Sequence, residues 1–485
     1  MALLDPSLWN GNIFINGWVS GSGGTRDVVS PSTGEKLGSI GIASIEDVNK
    51  AAKLAAVAQK EWAAHKPEAR AAVLRRAGEL WEQHAEEIHG WLIKEAGSIP
   101  PKAGLETHIA ANECFEASAL PTHPMGDVLP SNEDRWSMSR QRPAGVVTVI
   151  APFNFPLILS IRSVAPAIAL GNAVLLKPDP RTAVGAGASL VRIFQEAGLP
   201  DGVLQLVNGG VEVGEAVVAV PEVRVVSFTG STAAGRKVGE LGARHLKRTH
   251  LELGGNNALI ILPGADLAKA ASAGAFGSFM HQGQICMTTG RHIVHESLHD
   301  EYVALLAEKA SHLPVGDPAT QQVALGPIID ENQTARVQSI VDATVAEGGT
   351  LSAGGTHEGN FFKPTVLSNL TPDMSAWKNE IFGPVAPVIK FSTTEEAIAL
   401  ASEGEYGLSL GILGDVGEAM KIADAIPSGI IHINEQTVAD EANIPFGGVG
   451  ASGTGSRFGG AKANIEAFTE TQWLTLRPEI APYPF

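Results

Sequence analysis

The chain has 485 residues, 44% of them hydrophobic, with 35 Lys and Arg against 52 Asp and Glu, for a formal net charge of −17. That length exceeds one ordinary hydrophobic core and predicts about two or three domains. The acidic balance argues against nucleic acid or an anionic membrane as a partner, since either polyanion is repelled on average.

In chain order, the opening Met1-Ala2-Leu3-Leu4-Asp5-Pro6 lacks a basic stretch followed by a long apolar run. No apolar segment elsewhere is long enough to cross a bilayer, so a soluble cytoplasmic protein is expected. Only Cys114 and Cys286 are present, which makes a disulfide framework implausible and fits a reducing compartment. A helix is predicted over Ser44 to Trp62, where Ser44-x-x-Asp47 resembles a capping box, and a second over Arg70 to Ala96. After Pro143 come β-rich runs at Val146 to Ile150, Ala173 to Leu176, Val203 to Val207 and Val223 to Phe228, with helix-like stretches between them. That alternation predicts an α/β fold with a parallel, doubly wound sheet.

A second α/β region is expected from Glu252, with strands at Ala258 to Leu262 and Gly429 to Asn434. The polar alternation of Arg135 to Arg140 and of Gln472 to Arg477 predicts exposed strands that invite pairing with another subunit. His292 and His295 lack further ligands at useful spacing, so no metal is predicted.

The chemistry centres on Glu252, in Leu251-Glu252-Leu253-Gly254-Gly255, and Cys286, in Gly283-Gln284-Ile285-Cys286. A thiolate can add to an electrophilic carbon and later leave, whereas a carboxylate beside it can take a proton from water. Together they could make and hydrolyse a thioester. Phe228-Thr229-Gly230-Ser231-Thr232-Ala233-Ala234-Gly235 follows a strand and opens a helix, a context that can hold a pyrophosphate. Gly448-Val449-Gly450-Ala451-Ser452-Gly453 fits the G-x-G-x-x-G string but leads into Thr454 to Gly460 rather than a helix, and is assigned to a loop at the domain junction. Lys177 puts an ammonium at the carboxyl edge of the predicted sheet, where nucleotides bind.

The ordered motifs Pro152-Phe153-Asn154-Phe155-Pro156, Lys177-Pro178, Phe228 to Ser231, Leu251 to Gly255, Gly283 to Cys286, Glu380-Ile381-Phe382-Gly383-Pro384 and Pro445 to Gly448 resemble the aldehyde dehydrogenase superfamily over nearly the whole chain. His281 to Cys286, Lys177-Pro178-Asp179 and the Tyr483-Pro484-Phe485 end look most like bacterial benzaldehyde and vanillin dehydrogenases. The resemblance implies a Rossmann-type nucleotide-binding domain over 1–121 and 144–251 and an α/β catalytic domain over 252–450. It also implies a small β oligomerisation extension from 122–143 and 468–485, giving a homodimer or homotetramer.

The implied reaction is NAD(P)-dependent oxidation of an aromatic aldehyde to the acid through a thiohemiacetal and a thioester. Cys286, Glu252, Asn154 and Lys177 form the implied catalytic set, with the Asn154 amide and the Cys286 N–H on the oxyanion. Glu252 also favours water over coenzyme A as acyl acceptor. Cofactor contacts are expected at Ile150, Pro152, Phe153, Asn154, Lys177, Asp179, Gly210, Phe228, Gly230, Ser231, Gly235, Leu253, Gly254, Glu380 and Phe382. Many NAD-specific relatives carry a glutamate where this chain has Pro180. Asp179 or Glu196 would have to compensate, and Arg181 could accept a phosphate, so NAD preference with some NADP use is expected.

Phe155, Leu159, Ile285, Met287 and Phe446 are candidates for a substrate pocket that favours a benzaldehyde-like ring. Three alternatives stay open: an aliphatic or semialdehyde dehydrogenase, a cofactor-independent cysteine esterase, and a protein that kept the fold and lost the chemistry. The Phe228 to Gly235 turn argues against the esterase, and the intact Cys286, Glu252 and Asn154 set against the last.

Overall fold

The structure is a computed structural model and describes residues 2–485. Two seven-stranded sheets organise it. The first runs Arg248–Glu252, Val223–Thr229, Val146–Ile150, Ala173–Lys177, Leu204–Leu206, Asn12–Phe14 and Trp18–Ser20. Its first five strands are parallel, and the amino-terminal hairpin closes the edge antiparallel. Every residue of Val146–Ile150 and Ala173–Lys177 is buried, which explains their β-branched and aliphatic character up to the terminal Lys177.

Their crossover helix, Pro156–Ala169, is buried along its whole length. Ser44 does cap the helix Ile45–Ala64 as expected: its hydroxyl accepts from Asp47 N at 3.1 Å, and the Asp47 carboxylate accepts from Ser44 N at 2.9 Å. The single helix expected over Arg70 to Ala96 is instead two, Pro67–Gln83 and Ala85–Ala96. His84, at φ −102° and ψ 13°, leaves the helical region between them. The apolar period runs on across that residue, so the bend leaves no trace in the pattern.

The second sheet runs Thr350–Ala353, Thr365–Ser368, Val385–Phe391, Thr289–His295, Asn257–Ile261, Ser409–Leu413 and Ile430–Ile433, parallel apart from its first strand. The chain passes from one sheet to the other between Glu252 and Asn257. Later, Phe458, Ala467 and Phe468 return to the core of the first lobe. The strands expected to be exposed pair with each other: Trp136–Pro143 lies antiparallel between Thr469–Leu476 and Gly126–Val128. No helix among the described residues is long and apolar enough to cross a membrane.

Candidate active site

Parallel pairing brings the candidate residues of the first lobe to one edge. Ile150 is level with Lys177 on one side and Phe228 on the other, and Thr229 is level with Glu252. Strand order reverses between Val146–Ile150 and Val223–Thr229, the position at which open α/β sheets bind ligands. Two helix N-termini face this edge. Gly210 precedes Val211–Ala219, and Ser231 caps Thr232–Arg244 by accepting from Ala234 N at 3.3 Å.

Tight contacts explain the glycines here: a Cβ at Gly230 would strike the Phe228 ring, one at Gly235 the Leu253 side chain, and one at Gly254 the Glu380 carboxylate. Lys177 is 8% exposed, and its ammonium makes a single long bond, to Pro178 O at 3.4 Å. An ammonium has three donors. The two helix ends, the close backbone approach and this under-satisfied cation fit a dinucleotide.

Across the cleft, Phe382 has φ +56° and meets Phe153 edge to face at 6.0 Å. Arg336 fixes this loop by donating to the carbonyls of Glu380 and Ile381 at 2.7 and 2.8 Å. The Glu380 carboxylate accepts from Gly255 N at 3.1 Å, and burial lifts its pKa to about 7.

The nucleophile candidate is presented by a strained turn. After the helix Leu267–Phe279, three successive residues, His281, Gln282 and Gly283, adopt φ of 47°, 56° and 65°. Left-handed backbone in a non-glycine residue persists only where the surroundings enforce it. Gln282 does so by donating to Pro327 O at 2.8 Å and Gly97 O at 3.2 Å. The Asn257 amide then donates to Cys286 O and Thr288 O, both at 2.8 Å, tying the cysteine to the start of its strand. Burial pushes the Cys286 thiol up to about 12, the negative charges of Glu380 and Glu252 add to this, and the Arg162 guanidinium opposes it.

Asn154 lies in the turn between Val146–Ile150 and Pro156–Ala169. Its amide donates to Gln284 O at 2.9 Å, and its own carbonyl accepts from Lys102 at 2.7 Å. Lys102 is paired with Glu106, and Glu106 also accepts from Leu157 N at 3.0 Å. Glu252 is 3% exposed with neither carboxylate oxygen hydrogen-bonded. Burial lifts its pKa to about 8, against the pull of Arg162 and Arg457.

Cys286 and Asn154 open into one cavity of about 260 Å³, walled by Phe155, Ile158, Leu159, Phe276, Ile285, Met287 and Phe446 among others.

The Aldehyde dehydrogenase family profile matches residues 18–474. The chain belongs to the aldehyde dehydrogenase family. It is 62% identical to a vanillin dehydrogenase of an Amycolatopsis species over 100% of both chains. It is 47% identical to a benzaldehyde dehydrogenase [NAD(+)] of Pseudomonas putida over 99% of both. Among solved structures it is similar to a salicylaldehyde dehydrogenase of Pseudomonas putida G7 in complex with salicylaldehyde, at TM-score 0.94 and 36% identity, covering 98% of this chain and 99% of that one. A betaine aldehyde dehydrogenase of Staphylococcus aureus in complex with NAD+ matches at TM-score 0.95 and 28% identity, covering 99% and 98%.

All five expected pocket residues of this aldehyde dehydrogenase line the cavity. Lys177 does not; it stays at the sheet edge beside Gly214. The two carboxylates considered for the ribose are already engaged. Asp179 is gripped by Arg181 at 2.8 and 2.9 Å, and Glu196 pairs with Arg192 at 2.7 Å. Arg181 is itself held by Asp330 at 2.5 Å and lies 4.2 Å over the Phe153 ring, so its charge is balanced. Sequence reasoning missed Leu105, Ile109, Ile158, Arg162, Phe276, Met280 and the Val438 to Glu441 segment of the cavity wall. A lone charged residue, Arg162, in the mostly apolar and fully buried Pro156–Ala169 helix was the available signal.

Proposed function

We propose that the chain oxidises an aromatic aldehyde to its carboxylic acid, with a nicotinamide dinucleotide as oxidant and water as acyl acceptor. The observation that carries this reading is the sharing of one aromatic-walled cavity by Cys286 and Asn154, with the uncommitted Glu252 carboxyl buried nearby. The Cys286 thiol loses its proton to solvent water as its sulfur adds to the carbonyl carbon, and the Asn154 amide and Cys286 N–H hold the oxyanion. The nicotinamide, when bound, supplies the hydride acceptor. Glu252 takes a proton from the water that cleaves the thioester, and Cys286 leaves as the thiol. Phe155, Phe276 and Phe446 give a flat apolar lining suited to a ring, and similarity to enzymes named for vanillin and benzaldehyde supports that class.

In this reading the nucleotide-binding unit spans 1–121 and 144–251 and the catalytic unit 252–450, with 122–143 and 468–485 joining subunits into a dimer or tetramer. Lys177, Ser231, Gly210, Glu380 and Phe382 hold the dinucleotide. NAD is preferred, and NADP is also used because Pro180 leaves no carboxylate to repel a 2′-phosphate while Asp179 is neutralised by Arg181.

The test is absorbance at the reduced-nicotinamide band with benzaldehyde, vanillin or a short-chain aldehyde, each with NAD or NADP. Faster reduction with the ring aldehydes is expected. Better turnover of the short-chain substrate would overturn the aromatic reading, and a strong NADP preference would overturn the cofactor ranking.

A further inference from the structure

A ring of contacts closes across the cleft between the two lobes. Arg181 follows the strand Ala173–Lys177 of the first lobe, and Asp330 caps the helix Glu331–Ala346 of the second. The Asp330 carboxylate is divided between two tasks. Oδ1 accepts from Gln333 N at 2.9 Å, and Oδ2 accepts from Arg181 Nη1 at 2.5 Å. The rest of the guanidinium is fixed from its own lobe: Asp179 accepts from Nε and Nη2 at 2.9 and 2.8 Å, and the Phe153 ring lies 4.2 Å beneath.

The first two turns of the same helix grip the loop 380–382. The Gln333 side chain donates to Phe382 O at 2.8 Å, and Arg336 donates to the carbonyls of Glu380 and Ile381. Phe382 then returns to Phe153 edge to face. The circuit runs from Arg181 through Asp330, Gln333 and Phe382 to Phe153 and back. A phenylalanine at φ +56° persists only where its surroundings over-determine it, and this circuit supplies the constraint.

We propose that Arg181 and Asp330 are positioning residues that join the lobes and hold the loop 380–382 in the form that receives the dinucleotide. They act through Phe153 and Gln333, not on the reacting atoms. This deepens the cofactor reading above and rests on it. The two side chains are 30% and 33% exposed, so water and salt reach the pair. Such a pair adds little to stability and is weakened by screening. Its loss should therefore spare the fold and lower the population of the receptive loop, which weakens nucleotide binding by the same fraction.

Asp330→Asn separates the two tasks of the carboxylate. Asparagine caps a helix as well as aspartate does, so its Oδ1 still accepts from Gln333 N. The atom facing Arg181 becomes an amide NH2, a donor set against a donor. Two measurements on the full chain read the result: amide hydrogen exchange over residues 379–384 without nucleotide, and the calorimetric dissociation constant of NADH. Exchange over 379–384 should quicken while residues 146–150 are unchanged, and NADH should bind about two- to fivefold more weakly. KM for NAD should rise in step with that loss while KM for benzaldehyde stays the same, a split that a merely structural role would not produce.

Arg181→Lys keeps the charge but loses the planar fork that spans Asp179 and Asp330, and should shift both measurements in the same direction. The wild type gives a reading that needs no variant: added salt screens the pair and should speed exchange over 379–384 but not over 146–150. Unchanged exchange over 379–384 in folded Asp330→Asn overturns the proposal, and so does NADH binding equal to that of the wild type. If neither variant folds, the wild-type salt response decides. NADH binding that ignores the substitution overturns this proposal alone, whereas a wild type that binds no nicotinamide nucleotide overturns the cofactor reading together with it.

Discussion

Glu252 is a carboxyl group kept without a hydrogen bond, and its pKa of about 8 follows first from burial. A base works only when deprotonated, so a raised pKa moves activity upward in pH: thioester hydrolysis should increase as pH rises through about 8 and then level. Glu252→Gln should remove that limb, lower kcat by roughly 10²- to 10⁴-fold and let an acyl-enzyme accumulate, visible as added mass on the quenched protein. A retained limb would assign the titration to another group. Cys286→Ala should abolish oxidation and leave no adduct. Glu380 acts on the same thiol from the cofactor side, where after burial its charge is the largest influence holding the Cys286 pKa near 12. Neutralising it favours the thiolate, so Glu380→Gln should speed iodoacetamide labelling of Cys286 at a fixed pH in the absence of nucleotide. Labelling as slow as in the wild type would show that burial alone sets the reactivity.

At the scale of elements, the site depends on two clamps. The helix Pro100–Ala119 supplies Lys102 and Glu106, which grip the Asn154 turn through Asn154 O and Leu157 N. Lys102→Met leaves Glu106 buried without its partner and should cost about 3–5 kcal/mol. Lys102→Met/Glu106→Leu should recover most of that stability by thermal melting. Its kcat should still fall, by roughly 100-fold, because the oxyanion donor is no longer held in place. Full activity in the double variant would reduce the clamp to packing. The second clamp is the left-handed run His281 to Gly283 before Cys286. Neither clamp was legible in the sequence. Periodicity exposes strands such as Val146–Ile150 because burial on both faces enforces apolar side chains, but the positive φ at Gln282 is held by partners distant in sequence, at Gly97 and Pro327. The Lys102–Glu106 spacing looks like an ordinary exposed helical pair until the fold buries it.

At the scale of the molecule, Glu252 ends a strand of one sheet and Asn257, which anchors Cys286, begins a strand of the other, so the groups proposed to react straddle the junction of two lobes. The sequence carried the parallel sheets, and its local motifs marked Cys286, Asn154 and the five pocket side chains that line one cavity. It did not carry the Arg162–Asp440 contact, whose members meet across 278 residues. The third sheet was legible as well, because polar alternation marks strands with no core beneath them. Trp136 and Trp473 are 64% and 65% exposed there, and Thr469–Leu476 forms an outer edge with no further strand beside it among the described residues. A large aromatic surface on an open edge is a poor ending for a monomer, since it offers both apolar area and unpaired backbone groups to a second copy. Wild-type protein should therefore sediment as a dimer or tetramer. Trp136→Glu places a charge on that face without touching either lobe's core, so it should shift the sedimenting mass toward the monomer while the melting profile of the separated subunit stays cooperative. An unchanged mass would remove this sheet from the interface.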